Sequence, residues 1–320
     1  MRTEFDETHQ ALEGFSDFYD REIRSWLAER EAARQAARKK AIILVGVSCP
    51  IGAVLLLSGL SQHPLLGPTG GPDMMIGVGV ILLGAFFANK ALQSLRGDVK
   101  HFLMAKICGF LGLSYRAAAE WDPLEIFRLM QIVPNYSNAF LEDEIRGEYR
   151  GVSLHVVEAR LLERRPGTYR RATYVQVFRG LVMGFSFPHA FVGRTVITWD
   201  KGWLGNFLDR RAAPWQRVGL DDARFEEAFE VYGTEPVHSR MLMTADFKEG
   251  ALALVETLGK RSLQFAFTDD VLLVALRQDR DLFEARKMSR PLEDPAYVQG
   301  LLNDLGLIYL IVDTLRLSAE

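Results

Sequence analysis

The sequence predicts an α+β protein: an N-terminal transmembrane helical hairpin, then a cytosolic domain of antiparallel sheet and packed helices. Three observations carry this. Two long apolar stretches, about 41–60 and 74–92, lie in the first third of the chain. Short β-branched and aromatic runs separated by turn residues begin near Glu142. Helical periodicities follow without regular strand–helix alternation, which is the α+β pattern.

The first apolar stretch reads AIILVGVSCPIGAVLLLSGL from Ala41 to Leu60. Twenty uncharged residues at about 1.5 Å rise reach about 30 Å, the thickness of a hydrocarbon core. Pro50 would break a soluble helix but is tolerated in a membrane one. The second span holds the uncharged core MMIGVGVILLGAFFA, closed by Asn89 and Lys90 at the headgroup level. Between them SQHPLLGPTGGPD has no Lys or Arg, whereas Arg30, Arg34, Arg38, Lys39 and Lys40 precede the first span. Lys90, Arg96, Lys100 and Lys106 follow the second. The positive-inside rule therefore puts both termini in the cytoplasm of a bacterial inner membrane. With forty polar residues before the first span a cleaved leader is not expected, and Gly46 three residues before Cys49 disfavours lipoprotein acylation. Ser48, Gly52, Gly77, Gly79 and Gly84 are expected to let the spans approach closely. Neither span carries a charge at its middle, so the hairpin reads as an anchor and not as a transport path.

Three regions follow: a cytosolic amphipathic helix over 1–40, the hairpin over 41–92 and an α+β domain over 93–320. In the first, Phe5, Leu12, Phe15, Tyr19, Ile23 and Trp26 recur at helical spacing, predicting a helix over 3–40 packed on its own domain. Residues 98–113 are expected to carry the second span onward as a helix.

In the third region, four runs within 142–199 predict a four-stranded meander, with turns at Arg150-Gly151 and Pro166-Gly167. Asp221–Glu230 predicts a short helix with Phe225, Ala228 and Phe229 on one face. Thr244 is a predicted N-cap for a helix ending at Gly259, with Phe247, Ala251, Leu254, Val255 and Leu258 inward. Asp269-Asp270 predicts a two-residue hairpin turn. Asp294-Pro295 starts a last helix lined by Tyr297, Leu301, Leu305, Ile308, Val312 and Leu315.

Certain residues of this region carry a resemblance. They are Phe140-x-Glu142-Asp143-Glu144 with Gly147, the segment Ala223 to Pro236, Arg240 with Leu242 and Thr244, and LQFAFTDDVLLVAL followed by Leu282-Phe283. Over most of 100–290 the chain resembles the bacterial membrane-anchored family catalogued as domain of unknown function 3137. The resemblance implies a membrane hairpin before a β-rich domain. It implies no activity and no catalytic residue.

The chemistry is sparse. Net charge is −3, which does not suit nucleic-acid binding. No nucleotide loop, HExxH, EF-hand or GxSxG motif is present. Two cysteines, Cys49 and Cys108, build neither a redox pair nor a thiolate cage. His155, His189 and His238, with Asp200, are expected to be packing residues and not a metal or acid–base site. Glu142-Asp143-Glu144 is expected to be a solvated edge, because neighbours on a strand face opposite ways. Trp199, Trp203, Phe207 and Trp215 are expected to pin a long loop to the core. No cofactor, metal ligand or catalytic residue is assigned.

The most informative feature is a basic hairpin. ARLLERRPGTYRR holds Arg160, Arg164, Arg165, Arg170 and Arg171 against one acid, Glu163. Beside an anionic leaflet these arginines are candidates for contact with lipid or a partner. The expected function is a membrane-anchored cytosolic module binding a protein partner or lipid headgroups, with a homo-oligomer as a further option. The alternative is a membrane-associated enzyme with a site built from unmotified residues.

Overall fold

The computed structural model describes residues 3–60, 65, 71–167, 172–199, 214–259, 261–284 and 290–317. It divides into two compact units, Met1–Lys106 with Glu284–Gly300, and Ile107–Phe283 with Leu301–Glu320.

The first unit is helical. A turn, α1 (Phe15–Phe18), runs through a wider turn (Tyr19–Ile23) into α2 (Arg24–Leu60), and α3 (Gly71–Phe110) returns. The predicted helix over 3–40 starts later than expected: residues 3–8 are not helical. Gly14 stands at φ 81°, and Glu7 accepts hydrogen bonds from the Gly14 amide (2.9 Å) and the Ser16 amide (2.6 Å), capping the start of α1. Leu12, Phe15, Tyr19, Ile23 and Leu27 are buried as one stripe. Trp26 stacks on Phe102 with centroids 3.7 Å apart, and Arg30 lies 3.6 Å over the same indole. Arg34 is buried against Glu31, and Glu31 also accepts from the Leu292 amide at 3.0 Å.

α2 and α3 touch through small residues. A Cβ added at Gly52 would stand 2.7 Å from the Gly77 carbonyl, and one at Gly77 would stand 2.8 Å from the Gly52 carbonyl. Gly84 faces Ser48 in the same way, whereas Gly79 faces open space. Away from this seam both helices expose large apolar residues, among them Ile43, Val54, Leu57, Met75, Leu82 and Phe86.

The second unit is built on a nine-stranded, wholly antiparallel sheet. Its strands are β1 (Ser114–Ala118), β2 (Asn138–Tyr149), β3 (Val152–Pro166), β4 (Ala172–Ser186) and β5 (Thr195–Thr198). β6 (Gln216–Arg217), β7 (Glu230–Gly233), β8 (Leu263–Thr268) and β9 (Val271–Arg277) complete it. The spatial order is β1-β2-β3-β4-β9-β8-β5-β7-β6. The helices are α4 (Leu124–Leu129), α5 (Ala223–Ala228), α6 (Pro236–Leu242), α7 (Ala245–Leu258) and α8 (Pro295–Thr314), the last of which divides between the units.

The predicted meander holds for three strands and fails for the fourth. β5 does not pair with β4; the β8–β9 hairpin stands between them. All four β5 residues are buried, so β5 needs neighbours on both sides, and β8 and β7 supply them. β9 takes the free edge of β4 in unbroken register from Gly180 to Ser186. The connection after β4 runs over the β8–β9 turn, its Phe187 and Phe191 amides donating to Asp270 and Asp269 carbonyls. β1 was not foreseen, and β2 begins at Asn138, before Glu142.

Local signals hold well. Thr244 accepts from the Phe247 amide at 3.1 Å, Gly259 ends α7 at φ 98°, and Asp269-Asp270 links β8 to β9. Asp294 precedes α8, and all six residues of its foreseen stripe are buried. α5 is shorter than Asp221–Glu230, because Glu230 already belongs to β7. Among the described residues three helices are long and apolar enough to cross a membrane, the third being α8, whose apolar window is more than half buried.

Candidate functional site

Where β3 and β4 leave the core they form a two-sided ribbon. The middle of β3 is buried on both faces, from Val156 to Ala159, but Arg164, Arg165 and Pro166 are exposed, as are Ala172, Thr173 and Tyr174 on β4. Alternation divides the foreseen arginines between faces. Phe140, Arg160 and Arg179 are cross-strand neighbours in one row, and Arg164 opposite Tyr174 stands further out on the same face. A bulge between Leu161 and Leu162 keeps these rows aligned by skipping Val177. Arg165 faces the other way, at 2.8 Å from Glu163.

On the Phe140 face, the Arg160 guanidinium lies 4.5 Å from the Phe140 ring centroid. Phe140 is 46% and Tyr174 52% exposed, large values for aromatic rings on a sheet. Arg179 is held by Glu158 and Asp281. Among the described residues no carboxylate pairs with Arg160 or Arg164. Arg170 and Arg171 lie outside the described residues.

The acidic run is the main correction. Asp143 and Glu144 are buried; only Glu142 is partly exposed. Between Glu142 and Ile145 the β2–β3 register slips by one residue, and Asp143 adopts φ 55°. A bulge breaks the alternation on which the solvated-edge expectation rested. Asp143 accepts from the Tyr115 hydroxyl at 2.6 Å. Burial, with the nearby Asp143 charge, pushes the Tyr115 phenol up and the Cys108 thiol up to about 12.

Glu144 accepts from the Glu120 amide (2.6 Å), the Trp121 amide (3.4 Å) and Arg146, and His155 Nε2 lies 2.6 Å from the same carboxylate and 2.8 Å from Arg146 Nε. Burial alone would raise this carboxyl; the hydrogen bonds from His155, Arg146 and Trp121 outweigh it and hold it low. Burial lowers the His155 imidazole against the pull of Glu144. His155 also stacks on Trp121 at 3.8 Å. Through the Glu120 and Trp121 amides, Glu144 fixes residues 120–121 to the sheet. His189 and His238 are exposed, Asp200 lies outside the described residues, and no metal-holding cluster occurs among the described residues.

A second polar clasp escaped the sequence reading. Glu158 accepts from the Leu282 amide (3.1 Å), and Asp304 accepts from the Phe283 amide (3.0 Å) and from Arg280. Both carboxylates are buried. They pin the segment after β9, seating Leu282 and Phe283 fully in the core. The only sequence signal was the Leu282-Phe283 pair of the resemblance.

A cavity of about 370 Å³ adjoins α5 and α7, bordered by Trp199, Ala228, Leu252, Val255, Arg261 and the Arg224–Glu256 ion pair. Among the described residues its lining holds no nucleophile and sets Arg224 and Arg261 against Glu227 and Glu256. Trp215 packs against the core as expected of a loop pin; Trp203 and Phe207 lie outside the described residues.

Residues 176–317 match the family model described as "Protein of unknown function (DUF3137)". The match opens inside β4 and ends just beyond α8, so it contains Leu282, Phe283 and Asp304, whereas Glu158 and the Phe140–Gly147 motif lie upstream. No curated protein matches the chain. Among solved structures, the crystal structure of the mycobacterial trehalose monomycolate transport factor A, TtfA, is similar at 11% identity and a TM-score of 0.34, over 68% of this chain and 94% of that one. Likeness at that level carries no argument.

Proposed function

We propose that this chain, whose residues 176–317 belong to the DUF3137 family, is anchored in a bacterial inner membrane by two spans, about 41–60 and 74–92. Both termini and the β-rich domain lie in the cytoplasm. The protein is a non-enzymatic module that binds a protein partner or lipid headgroups at the inner membrane face.

The apolar belt on α2 and α3 carries this reading. Ile43 at 63%, Leu57 at 68%, Met75 at 79% and Leu82 at 63% exposure are values that water does not tolerate in such density, and that lipid requires. Meanwhile the seam of Gly52, Gly77, Gly84 and Ser48 packs the helices as small residues pack in bilayers. Arg30 and Arg34 are engaged within the fold, so the orientation signal rests on Arg38, Lys39, Lys40 and Lys90, all exposed.

The test is accessibility in intact cells. Single cysteines at Ser61 or Thr69, in a Cys49→Ala, Cys108→Ala background, react with a membrane-impermeant thiol reagent, and one at Ser318 does not. Labelling at Ser318 reverses the orientation.

A further inference from the structure

We infer that the outer face of the β2–β3–β4 ribbon is a docking surface for anionic phospholipid headgroups, with Phe140 and Tyr174 entering the headgroup layer beside Arg160 and Arg164. This rests on the proposal that the β-rich domain shares the cytoplasmic side with an anionic leaflet.

The argument begins with register. Strand pairing and the bulge bring two aromatic rings and two arginines onto one face. The rings are about half exposed, although folding ordinarily hides such surface. Arg160 and Arg164 have no acidic partner among the described residues, while neighbouring Arg165 and Arg179 do. The face thus offers unspent guanidinium forks, which bind phosphate in bidentate geometry. Tyrosine and phenylalanine rings are at home in the layer between water and acyl chains.

A protein partner is the rival occupant, and the pattern argues against it. Protein interfaces gather apolar anchors into a desolvated centre rimmed by charge. Here each ring stands opposite a guanidinium, Phe140 beside Arg160 and Tyr174 beside Arg164, so charge and apolar surface are interleaved and not segregated into centre and rim. Interleaving is what a headgroup layer presents in return: anionic oxygens with hydrocarbon directly beneath.

The experiment uses the full chain in lipid nanodiscs. Cys49 is replaced by Ala, and Gln176→Cys, exposed on the same ribbon face opposite Leu162, takes an environment-sensitive dye. Cys108 can stay, since it is buried and its thiol is pushed up to about 12. In discs containing phosphatidylglycerol the dye shifts to the blue and is quenched by headgroup-spin-labelled lipid; in pure phosphatidylcholine discs it is not. Each arginine is worth about a fivefold bias at low salt, so Arg160→Gln with Arg164→Gln lowers the docked-to-free ratio about 25-fold. Phe140→Ser with Tyr174→Ser lowers it at low and high salt alike. All four side chains lie outside the core, and an unchanged thermal melt confirms that the variants fold. Equal quenching in both lipids, or quenching indifferent to the arginine pair, overturns the inference. So does an unquenched ribbon in anionic discs, which would return the face to a protein partner. A chain that fails to enter the discs instead overturns the anchoring proposal.

Discussion

The hairpin and the sheet unit use the same residue types in opposite ways. Phe225 is fully buried among Phe229 and its neighbours, whereas Phe86 on α3 is 60% exposed. Leu276 on β9 is fully buried, and Leu57 on α2 is 68% exposed. In the sheet unit, apolar area leaves water by packing on other side chains. In α2 and α3 only the seam does so, and the remaining apolar area stays exposed. An exposed leucine has no meaning alone; a belt of them on two helices, in a chain whose other unit buries its own, is the observation on which the anchoring proposal rests.

The largest effect that tests the contrast is truncation. Phe225→Ala is expected to cost about 3–5 kcal/mol in thermal or denaturant unfolding of the detergent-solubilised protein. Phe86→Ala is expected to change the same transition by less than about 0.5 kcal/mol. A large loss at Phe86 would mean that the ring is packed and not solvated by lipid. The complementary change is Ile51→Arg, at an exposed position in the middle of the 41–60 stretch, which costs roughly 3 kcal/mol of insertion at a span centre. A glycosylation-mapped insertion assay reads it, and unchanged insertion would remove the first span.

These two units also differ in how far their sequences could be read. The two apolar helices are local: twenty charge-free residues and small residues at the seam lie within one stretch, and both were legible. Gly79 was the exception, because helical rotation put it on the open side. In the sheet unit, legibility stopped at contacts between near neighbours. Thr244, Gly259, Asp269-Asp270 and Asp294-Pro295 act within four residues of themselves and were read correctly. The insertion of β8–β9 between β4 and β5 joins residues about ninety positions apart, and no periodicity encodes that choice. The bulge at Asp143 is a single extra residue, invisible in composition, yet it turned an expected solvated edge into two buried carboxylates. The arginines were found as a cluster, but which of them share a face with Phe140 and Tyr174 depends on the second bulge.

Polar burial sharpens the comparison further. In the helical unit, Arg34 is 4% exposed and its guanidinium is matched by Glu31 at 2.6 Å. That pairing, with the Leu292 amide, holds the Glu31 carboxyl down at about 2, against an ordinary 4.5. A depressed carboxyl stabilises the folded state above its unfolded value and loses that contribution as pH falls through the folded one. The pair should therefore be intact above pH 4.5 and lost progressively toward pH 2. Glu31→Gln is expected to cost roughly 2 kcal/mol at neutral pH, as a charged hydrogen-bond acceptor is removed from a buried donor. The gap between variant and wild type should close between pH 4.5 and 2. A gap that stays constant over that window would show that the charge on Glu31 does not matter.

The smallest expected effect lies at the start of α7. The first amides of a helix have no carbonyl behind them, and a side chain must stand in. Thr244 does so through its hydroxyl, which accepts from the Phe247 amide at 3.1 Å, while its own carbonyl accepts from Lys248 at 3.0 Å. Phe247 then packs edge-on against Phe265 of β8, so the cap sets the angle at which the helix meets the sheet. Thr244→Ala removes the acceptor and is expected to cost about 1 kcal/mol; Thr244→Ser keeps it and should cost a few tenths at most. Thr244 itself is exposed, so the alanine variant leaves no cavity and changes little apolar burial. The difference between the two variants in the same unfolding measurement is then the cap alone. Equal losses for alanine and serine would assign the effect to the lost methyl group, and equal stability of all three would leave the helix start held by packing of Phe247.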